Sequence, residues 1–181
     1  MDNPICRRGA LRGLTAFGVL ASAGVRSADG AAPTPRSAGP ALGALLIIGG
    51  GEAGTEIRNA AIELGGKPAR WVLIPTAATD AEVAKAEPPA FIRRSGGNLT
   101  ALHTRDRRVA DSEAFVAPLR TATAVFFEGG RQWRLVDAYG ETRTERELRA
   151  VLDRNGLIAG TSAGATIRGT SYAGHPNRTR F

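Results

Sequence analysis

Five short apolar runs recur between residues 44 and 160, and glycines or polar turn residues close each of them. Continuous apolar runs of this length are typical of strands that are buried on both faces of a parallel sheet. The stretches between the runs place apolar residues at helical spacing instead. The pattern therefore predicts strands at residues 44–50, 71–76, 99–104, 123–130 and 156–160.

The intervening segments predict helices at residues 55–64, 80–94, 111–119, 131–138 and 142–154, and a further helix after Ser162. We expect Pro88-Pro89 to break or restart the second helix, because proline interrupts helical hydrogen bonding. Asp111 and Ser112 are candidate caps of the third helix. The sequence Thr-Arg-Thr-Glu at 142–145 predicts a capping box.

Alternation of strands and helices predicts right-handed crossovers and an α/β fold, with a doubly wound, mostly parallel sheet covered by helices on both faces. Ligands of such sheets bind at the carboxyl ends of the strands. Glycine-rich or polar sequences follow all five predicted strands, in the order GGGEAG, PTAATD, HTRD, EGGRQ and GTSAG. We therefore expect the functional site at this edge.

The first of these sequences, residues 49–54, fits the G-x-G-x-x-G pattern of dinucleotide-binding folds. That pattern also requires an acidic residue at the end of the second strand, where this chain has Leu-Ile-Pro-Thr. The sequence therefore disfavours a nucleotide cofactor, and we expect no cofactor. Gly50 and Gly51 are instead candidates to line an active site. Alternatively, they form an ordinary tight turn.

Residues 160–164 read Gly-Thr-Ser-Ala-Gly, the spacing of a nucleophile elbow, in which a serine lies on a strand-to-helix turn. The backbone N–H of Ala163 is a candidate donor to an oxyanion. The glycine pair in EGGRQ can direct further N–H groups into the crevice, as a tetrahedral oxyanion requires. Gln132 is either a polar contact to substrate or an ordinary residue of the first helical turn.

Together, FFEGGRQWRL (126–135) and GLIAGTSAGATIRG (156–169) resemble the cyanophycinase and dipeptidase E group of serine peptidases. The resemblance covers about 44–170 and implies a fold similar to the class I glutamine amidotransferases. It implies that Ser162 is the nucleophile, that Gly130 and Ala163 are oxyanion donors and that Gln132 contacts substrate. The implied activity is hydrolysis of peptide or isopeptide bonds in small substrates. Arg131 departs from the Asn or Asp that is frequent in the family.

The resemblance also implies a catalytic histidine about forty residues after the serine, with an acidic partner. Only 19 residues follow Ser162, and none of them is acidic. His175 lies in a basic segment, 170–181, that does not resemble the family, and His103 follows the third strand. We expect neither histidine to be the base. A C-terminal truncation, with an incomplete fold and little or no peptidase activity, is the simplest interpretation.

The net charge of +7 is concentrated at the two ends, whereas residues 41–167 carry 16 basic and 15 acidic residues. This distribution argues against nucleic-acid binding, which requires a basic patch on the folded domain. Arginines in residues 6–12 precede a short apolar stretch at 14–25. This pattern predicts a signal peptide over 1–28, resembling a twin-arginine signal, and export to the periplasm or the extracellular space.

The remaining predicted segments are a linker at 29–43, which is rich in Ala, Pro, Ser and Gly, and a peptidase-like domain at 44–169. Cys6 is the only cysteine, so we expect no disulfide and no metal site in the domain.

The expected partner is a small peptide or dipeptide-like substrate. We expect no stable membrane anchor, and the sequence leaves open whether the chain forms a homodimer. The alternative function is a non-catalytic, small-molecule-binding module of the same fold.

Overall fold

A parallel sheet of five strands forms the centre of the chain in the computed structural model, which describes residues 40–166. The predicted leader, most of the linker, the basic tail and His175 lie outside the described residues. The strands are β1 (Ala44–Ile48), β2 (Arg70–Ile74), β3 (Asn98–Ala101), β4 (Ala124–Phe127) and β5 (Leu157–Thr161). All five predicted strands are present, and each ends earlier or later than its apolar run by a few residues.

The strands are hydrogen-bonded in the order β1-β5-β4-β2-β3, and every pairing is parallel. The last strand is therefore inserted between the first and the fourth. Phe127 of β4 pairs with Gly160 of β5, and Ile48 of β1 pairs with Thr161. This register brings the ends of β1, β4 and β5 to the same edge of the sheet.

Eight helices connect and flank the strands in the described part of the chain. They are α1 (Thr55–Leu64), α2 (Asp80–Val83), α3 (Ala90–Arg94), α4 (Arg107–Ala110), α5 (Glu113–Thr121), α6 (Gln132–Tyr139), α7 (Arg143–Asp153) and α8 (Ala163–Thr166).

Two hydrophobic clusters cover the two faces of the sheet, because successive strand residues point to opposite sides. Val72 and Ile74 of β2 pack in one cluster with residues of α4 to α8, including the fully buried Tyr139. Trp71 and Leu73 pack in the other cluster with Ala61 of α1 and with α3. The predicted α/β fold with helices on both faces is confirmed.

Local signals explain where the helices depart from the predictions. The predicted helix at 80–94 consists of α2 and α3, and Pro89 is the N-terminal cap residue of α3, as expected from the proline pair. The short helix α4 was not predicted. It ends at Ala110, and Asp111 is its C-terminal cap residue. Only Ser112 therefore caps α5, by accepting a hydrogen bond from the Phe115 N–H.

The predicted capping box at 142–145 is wrong. The Thr142 hydroxyl donates to the Tyr139 carbonyl at 2.6 Å and does not cap α7. The Glu145 carboxylate accepts a hydrogen bond from the Glu141 N–H, one residue before the expected donor. A capping box does form at α2, where Thr79 and Glu82 bond each other's backbone N–H groups.

The strand order also separates this fold from the dinucleotide-binding one. There the first strand pairs with the second and the fourth, whereas β1 here pairs with β5 among the described strands. Among the described helices, none combines the length and the apolar character needed to cross a lipid bilayer.

Candidate active site

Ser162 lies on the turn between β5 and α8, at the carboxyl edge of the sheet. Its φ is 50°, in the left-handed region that non-glycine residues rarely adopt. The Ser162 N–H donates to the Ile48 carbonyl at 2.9 Å, and its carbonyl accepts from the Ala165 N–H at 2.9 Å. Its side chain is exposed. A strained, exposed serine between a buried strand and a helix is the geometry of a nucleophile elbow.

The glycines on either side of Ser162 are required by close backbone contacts. A Cβ on Gly160 would lie 2.4 Å from the Gly164 carbonyl oxygen. A Cβ on Gly164 would lie 2.5 Å from the Phe127 carbonyl oxygen. The first turn of α8 therefore packs directly on the backbone of β4 and β5, which explains the G-x-S-x-G spacing.

The Gly129-Gly130 loop after β4 lies against the elbow. A Cβ on Gly129 would be 3.4 Å from the Cβ of Ser162, an ordinary van der Waals distance. Gly130 has a φ of 141°, and no hydrogen bond within residues 40–166 uses its N–H. The Arg131 N–H donates to the Ala77 carbonyl at 2.8 Å, which ties this loop to the segment after β2.

The other predicted site residues lie at the same edge. Ala163 is the first residue of α8 and is buried. Gln132 is the half-buried first residue of α6, directly after the glycine loop. Gly50 and Gly51 follow β1 with φ values of 148° and 71°. The fold thus brings together residues from the ends of β1, β4 and β5.

A cleft of about 580 Å³ opens beside the elbow, on the face of the sheet that α1 and α3 cover. Gly51, Gly129 and Thr161 line its end near Ser162. The rest of its wall comes from the strands, from α1, α2 and α3, and from the segment between α2 and α3. It includes Ile48, Arg58, Glu82, Pro89, Phe91, Phe126 and Glu128. A volume of this size suits a small organic ligand.

Glu128, the first residue after β4, is a functional candidate that the sequence analysis missed. It lines the cleft, and burial raises the pKa of its carboxyl group. Perturbed carboxyl groups in clefts are frequent at functional sites. The available signal was an acidic residue that directly precedes a glycine pair at a strand end.

His103 lies too far along the sheet from Ser162 to act on it. It follows β3, which is three strands away from β5 in the sheet order. Three interstrand spacings amount to about 14 Å. Its Nδ1 is 3.0 Å from the Thr76 hydroxyl, and its Nε2 is 3.4 Å from the Asp80 carboxylate.

That histidine belongs to a polar network behind the site. The Thr76 hydroxyl is also hydrogen-bonded to the Tyr139 hydroxyl at 2.6 Å, and both residues are fully buried. Arg105 donates to the Asp80 carboxylate at 2.7 Å and to the Thr76 carbonyl at 3.0 Å. This hydrogen bond from Arg105 holds the pKa of Asp80 below its ordinary value. The network fixes the segment after β2, which in turn holds the glycine loop.

Within residues 40–166, no group of three or more His, Cys, Asp or Glu side chains is arranged to hold a metal ion. The elbow serine, the glycine loop and the cleft are the features of the described residues that bear on chemistry.

The solved structures that are similar to this chain include the following two. A peptidase from an acI-B1 Actinobacterium is 28% identical with a TM-score of 0.59, over 71% of this chain and 57% of that protein. A putative peptidase E protein from Listeria monocytogenes EGD-e is 17% identical with a TM-score of 0.48, over 74% of this chain and 65% of that protein. The chain thus spans less than two thirds of either protein. No curated protein matches it.

The sequence model of Peptidase family S51 matches residues 45–178. The match includes the EGGRQ loop and the GTSAG elbow, the two motifs that carry the resemblance to the cyanophycinase and dipeptidase E group. That resemblance is confirmed: the chain belongs to peptidase family S51.

Proposed function

We propose that Ser162 is the nucleophile of a serine-type peptidase that hydrolyses peptide or isopeptide bonds in small substrates. The observation that carries the proposal is the contact between the strained elbow at Ser162 and the Gly129-Gly130 loop. A substrate carbonyl carbon placed at the serine hydroxyl would have its oxygen beside this loop. The family to which the chain belongs supports the same reaction class.

In this proposal the Ser162 oxygen attacks the carbonyl carbon, the C–N bond breaks, and the amine leaves with the proton that the hydroxyl gives up. Water then hydrolyses the resulting acyl-enzyme ester, which releases the carboxylic acid and restores the serine hydroxyl. The N–H groups of Gly130 and Ala163 stabilise the oxyanion of each tetrahedral intermediate. Gln132 contacts the substrate at the start of α6. The adjoining cleft has a volume that fits a dipeptide-sized ligand rather than a folded protein.

The one histidine within residues 40–166 does not lie where it could activate Ser162. His103, the histidine that the structure describes, is held by Thr76 and Asp80 three strands away from the serine.

The test is covalent labelling of the full chain with a fluorophosphonate probe, which reports serine reactivity without requiring a natural substrate. We expect labelling that maps to Ser162 and disappears in Ser162→Ala. Ser95→Ala is the control, because it removes a hydroxyl whose partners are Trp71 and Ile92, away from the elbow. A chain that is folded but unlabelled would contradict the proposal and favour the non-catalytic binding module.

A further inference from the structure

A cavity of about 650 Å³ lies at the amino edge of the sheet, opposite the edge that carries the elbow. Arg70, the first residue of β2, lines it, as do residues 121–123 before β4 and residues 154–156 before β5. Gly156 directly precedes β5 and Ser162 directly follows it, so these two residues lie about 20 Å apart. This amino-edge cavity is therefore separate from the cleft beside the elbow.

Backbone hydrogen bonds tie together the three strand starts around the amino-edge cavity. The Thr123 N–H donates to the Arg70 carbonyl at 3.1 Å, and the Arg70 N–H donates to the Thr123 hydroxyl at 3.0 Å. The Leu157 N–H donates to the Thr123 carbonyl at 2.9 Å. A Cβ on Gly156 would lie 2.6 Å from Cγ1 of Val151, so the turn before β5 packs closely on α7. The cavity therefore has a fixed backbone frame.

Two arginine side chains in the cavity wall are held by the last turn of α5. Nε of Arg70 donates to the Thr121 carbonyl. Nη2 of Arg154 donates to the Leu119 carbonyl at 2.9 Å. A guanidinium group has five N–H donors, and each of these two groups uses one of them within residues 40–166. The backbone of α5 thus positions both groups and leaves most of their donors available to a ligand.

Neither guanidinium group has a carboxylate partner in the part of the chain that the structure describes. Arg120, which also lines the cavity, differs from them because it forms ion pairs with Glu113 and Glu147. None of the described residues that line the cavity is acidic. The C-terminal dipoles of α5 and α7 add about half a negative charge each, which the two unpaired guanidinium charges exceed. The cavity is therefore electropositive.

Neutral polar groups complete the cavity wall. The Thr121 hydroxyl and the Asn155 side-chain amide line the cavity, and no hydrogen bond within residues 40–166 uses either group. Asn155 has a φ of 62°, a conformation that asparagine adopts more readily than most residues. The wall therefore offers two cationic groups beside neutral donors and acceptors.

A phosphate group matches this arrangement. Near neutral pH a phosphate monoester carries up to about two negative charges on three terminal oxygens, enough to accept from both guanidinium groups at once. Arginine binds phosphate oxygens through paired N–H donors. A nucleic acid is disfavoured because residues 41–167 carry 16 basic and 15 acidic residues and so lack a general basic surface. The concave shape and this charge balance favour a small phosphate-bearing ligand.

We propose that the amino-edge cavity binds the phosphate group of a small ligand, and that Arg70 and Arg154 hold its oxygens. The ligand is free phosphate or a phosphate monoester, since both present the same group to the two arginines. The proposal does not depend on the peptidase reaction, because the cavity and the elbow lie at opposite edges of the sheet.

The test is isothermal titration calorimetry of the full chain at constant ionic strength and about pH 7.5, where the phosphate group is mostly dianionic. The probes are inorganic phosphate, glucose 6-phosphate, glucose and malonate. We expect at least one phosphate probe to bind about tenfold more tightly than glucose and malonate. Tighter binding of glucose 6-phosphate identifies an ester as the ligand, and equal or tighter binding of inorganic phosphate identifies the free anion. Either result supports the phosphate site.

Arg70→Gln and Arg154→Gln should each weaken phosphate binding about tenfold, because each removes charge-assisted hydrogen bonds. Asn155→Asp is a further variant that leaves the hydrogen bonds of both arginines to α5 in place. It puts a carboxylate beside the guanidinium groups and should weaken binding at least as much. Arg108→Gln is the matched control, because it removes the same charge from a highly exposed residue of α4, which follows the other edge of the sheet.

Arg108→Gln should bind phosphate as the wild type does. The proposal would be overturned if the folded full chain bound neither phosphate probe, or if it bound malonate as tightly as both of them. Unchanged phosphate affinity in folded Asn155→Asp would also overturn it. So would an equal loss of affinity in Arg108→Gln and Arg154→Gln, which would indicate attraction by net charge without a specific site.

Discussion

Replacing Gly130 by alanine tests whether the glycine loop after β4 is part of the site of Ser162. A Cβ at this position would lie 2.2 Å from the Ala77 carbonyl oxygen and 2.7 Å from the Ala78 nitrogen. Gly130 also has a φ of 141°, which side-chain-bearing residues avoid. Because these neighbours are backbone atoms, they cannot rotate away, and the loop itself has to move.

The distances give the expected size of the effect. Restoring an ordinary contact at the Ala77 oxygen requires a displacement of about 1 Å. A misplacement of about 1 Å in a reacting site costs roughly 100-fold in rate, and loss of one oxyanion donor costs about 100- to 1,000-fold. The backbone strain adds about 1–3 kcal/mol of destabilisation. We expect Gly130→Ala to react with a fluorophosphonate at least about 100-fold more slowly.

The assay measures the second-order labelling rate of Ser162 well below the unfolding temperature, with circular dichroism to confirm the fold. Gly54→Ala is the control, because Gly54 has a φ of −60° and open space around its Cβ position. It should label at the wild-type rate. A folded Gly130→Ala protein that labels as fast as wild type would refute the role of the loop.

Four further substitutions test the network and the cleft. Thr76→Val and Tyr139→Phe should each destabilise the fold by about 1–2 kcal/mol in urea unfolding, since each removes a buried hydrogen bond. The double variant should lose about 1 kcal/mol less free energy of unfolding than the two single variants lose together. Strictly additive losses would contradict the hydrogen bond between Thr76 and Tyr139. Arg105→Ala should lower the unfolding temperature at pH 7 by roughly 2–4 °C. Because Arg105 lowers the pKa of Asp80, this difference should shrink as the pH falls below about 3.8 in thermal scans. Burial raises the pKa of the Glu128 carboxyl group in the folded chain. Ionisation of this carboxyl group therefore destabilises the fold as the pH rises through its folded-state pKa. Glu128→Gln should therefore be more stable than wild type at pH 7, by under about 1 kcal/mol, and equal to it below about pH 4; a less stable variant at pH 7 would be inconsistent with an unpaired carboxylate.

Most of the helices and all of the strands were predictable from the sequence, because their signals are local. Buried parallel strands have continuous apolar runs, and glycine or proline marks their ends. The short helix α4 was missed because four residues cannot establish a helical period. The capping box at Thr142 was wrong because the preceding turn at Glu141, with a φ of 59°, presents a different N–H to Glu145.

The structure places the motif residues of the predicted site together at one edge of the sheet. The elbow at Ser162 and the glycine loop at Gly130 are readable from glycine spacing, since glycine marks close backbone approach. Glu128 could not be singled out in this way, because its significance depends on which side chains surround it. Nothing in the sequence shows that a carboxylate one residue before two glycines lacks a partner.

The sequence by itself determined the elements, the elbow and the family, because these depend on residue periodicity and on motifs of adjacent residues. The order of the strands was decided only by the tertiary structure. Insertion of β5 between β1 and β4 places Ser162 against Gly129 and leaves His103 three strands away. Strand order arises from non-local pairing and from the paths of the crossovers, and local sequence patterns do not encode either of them.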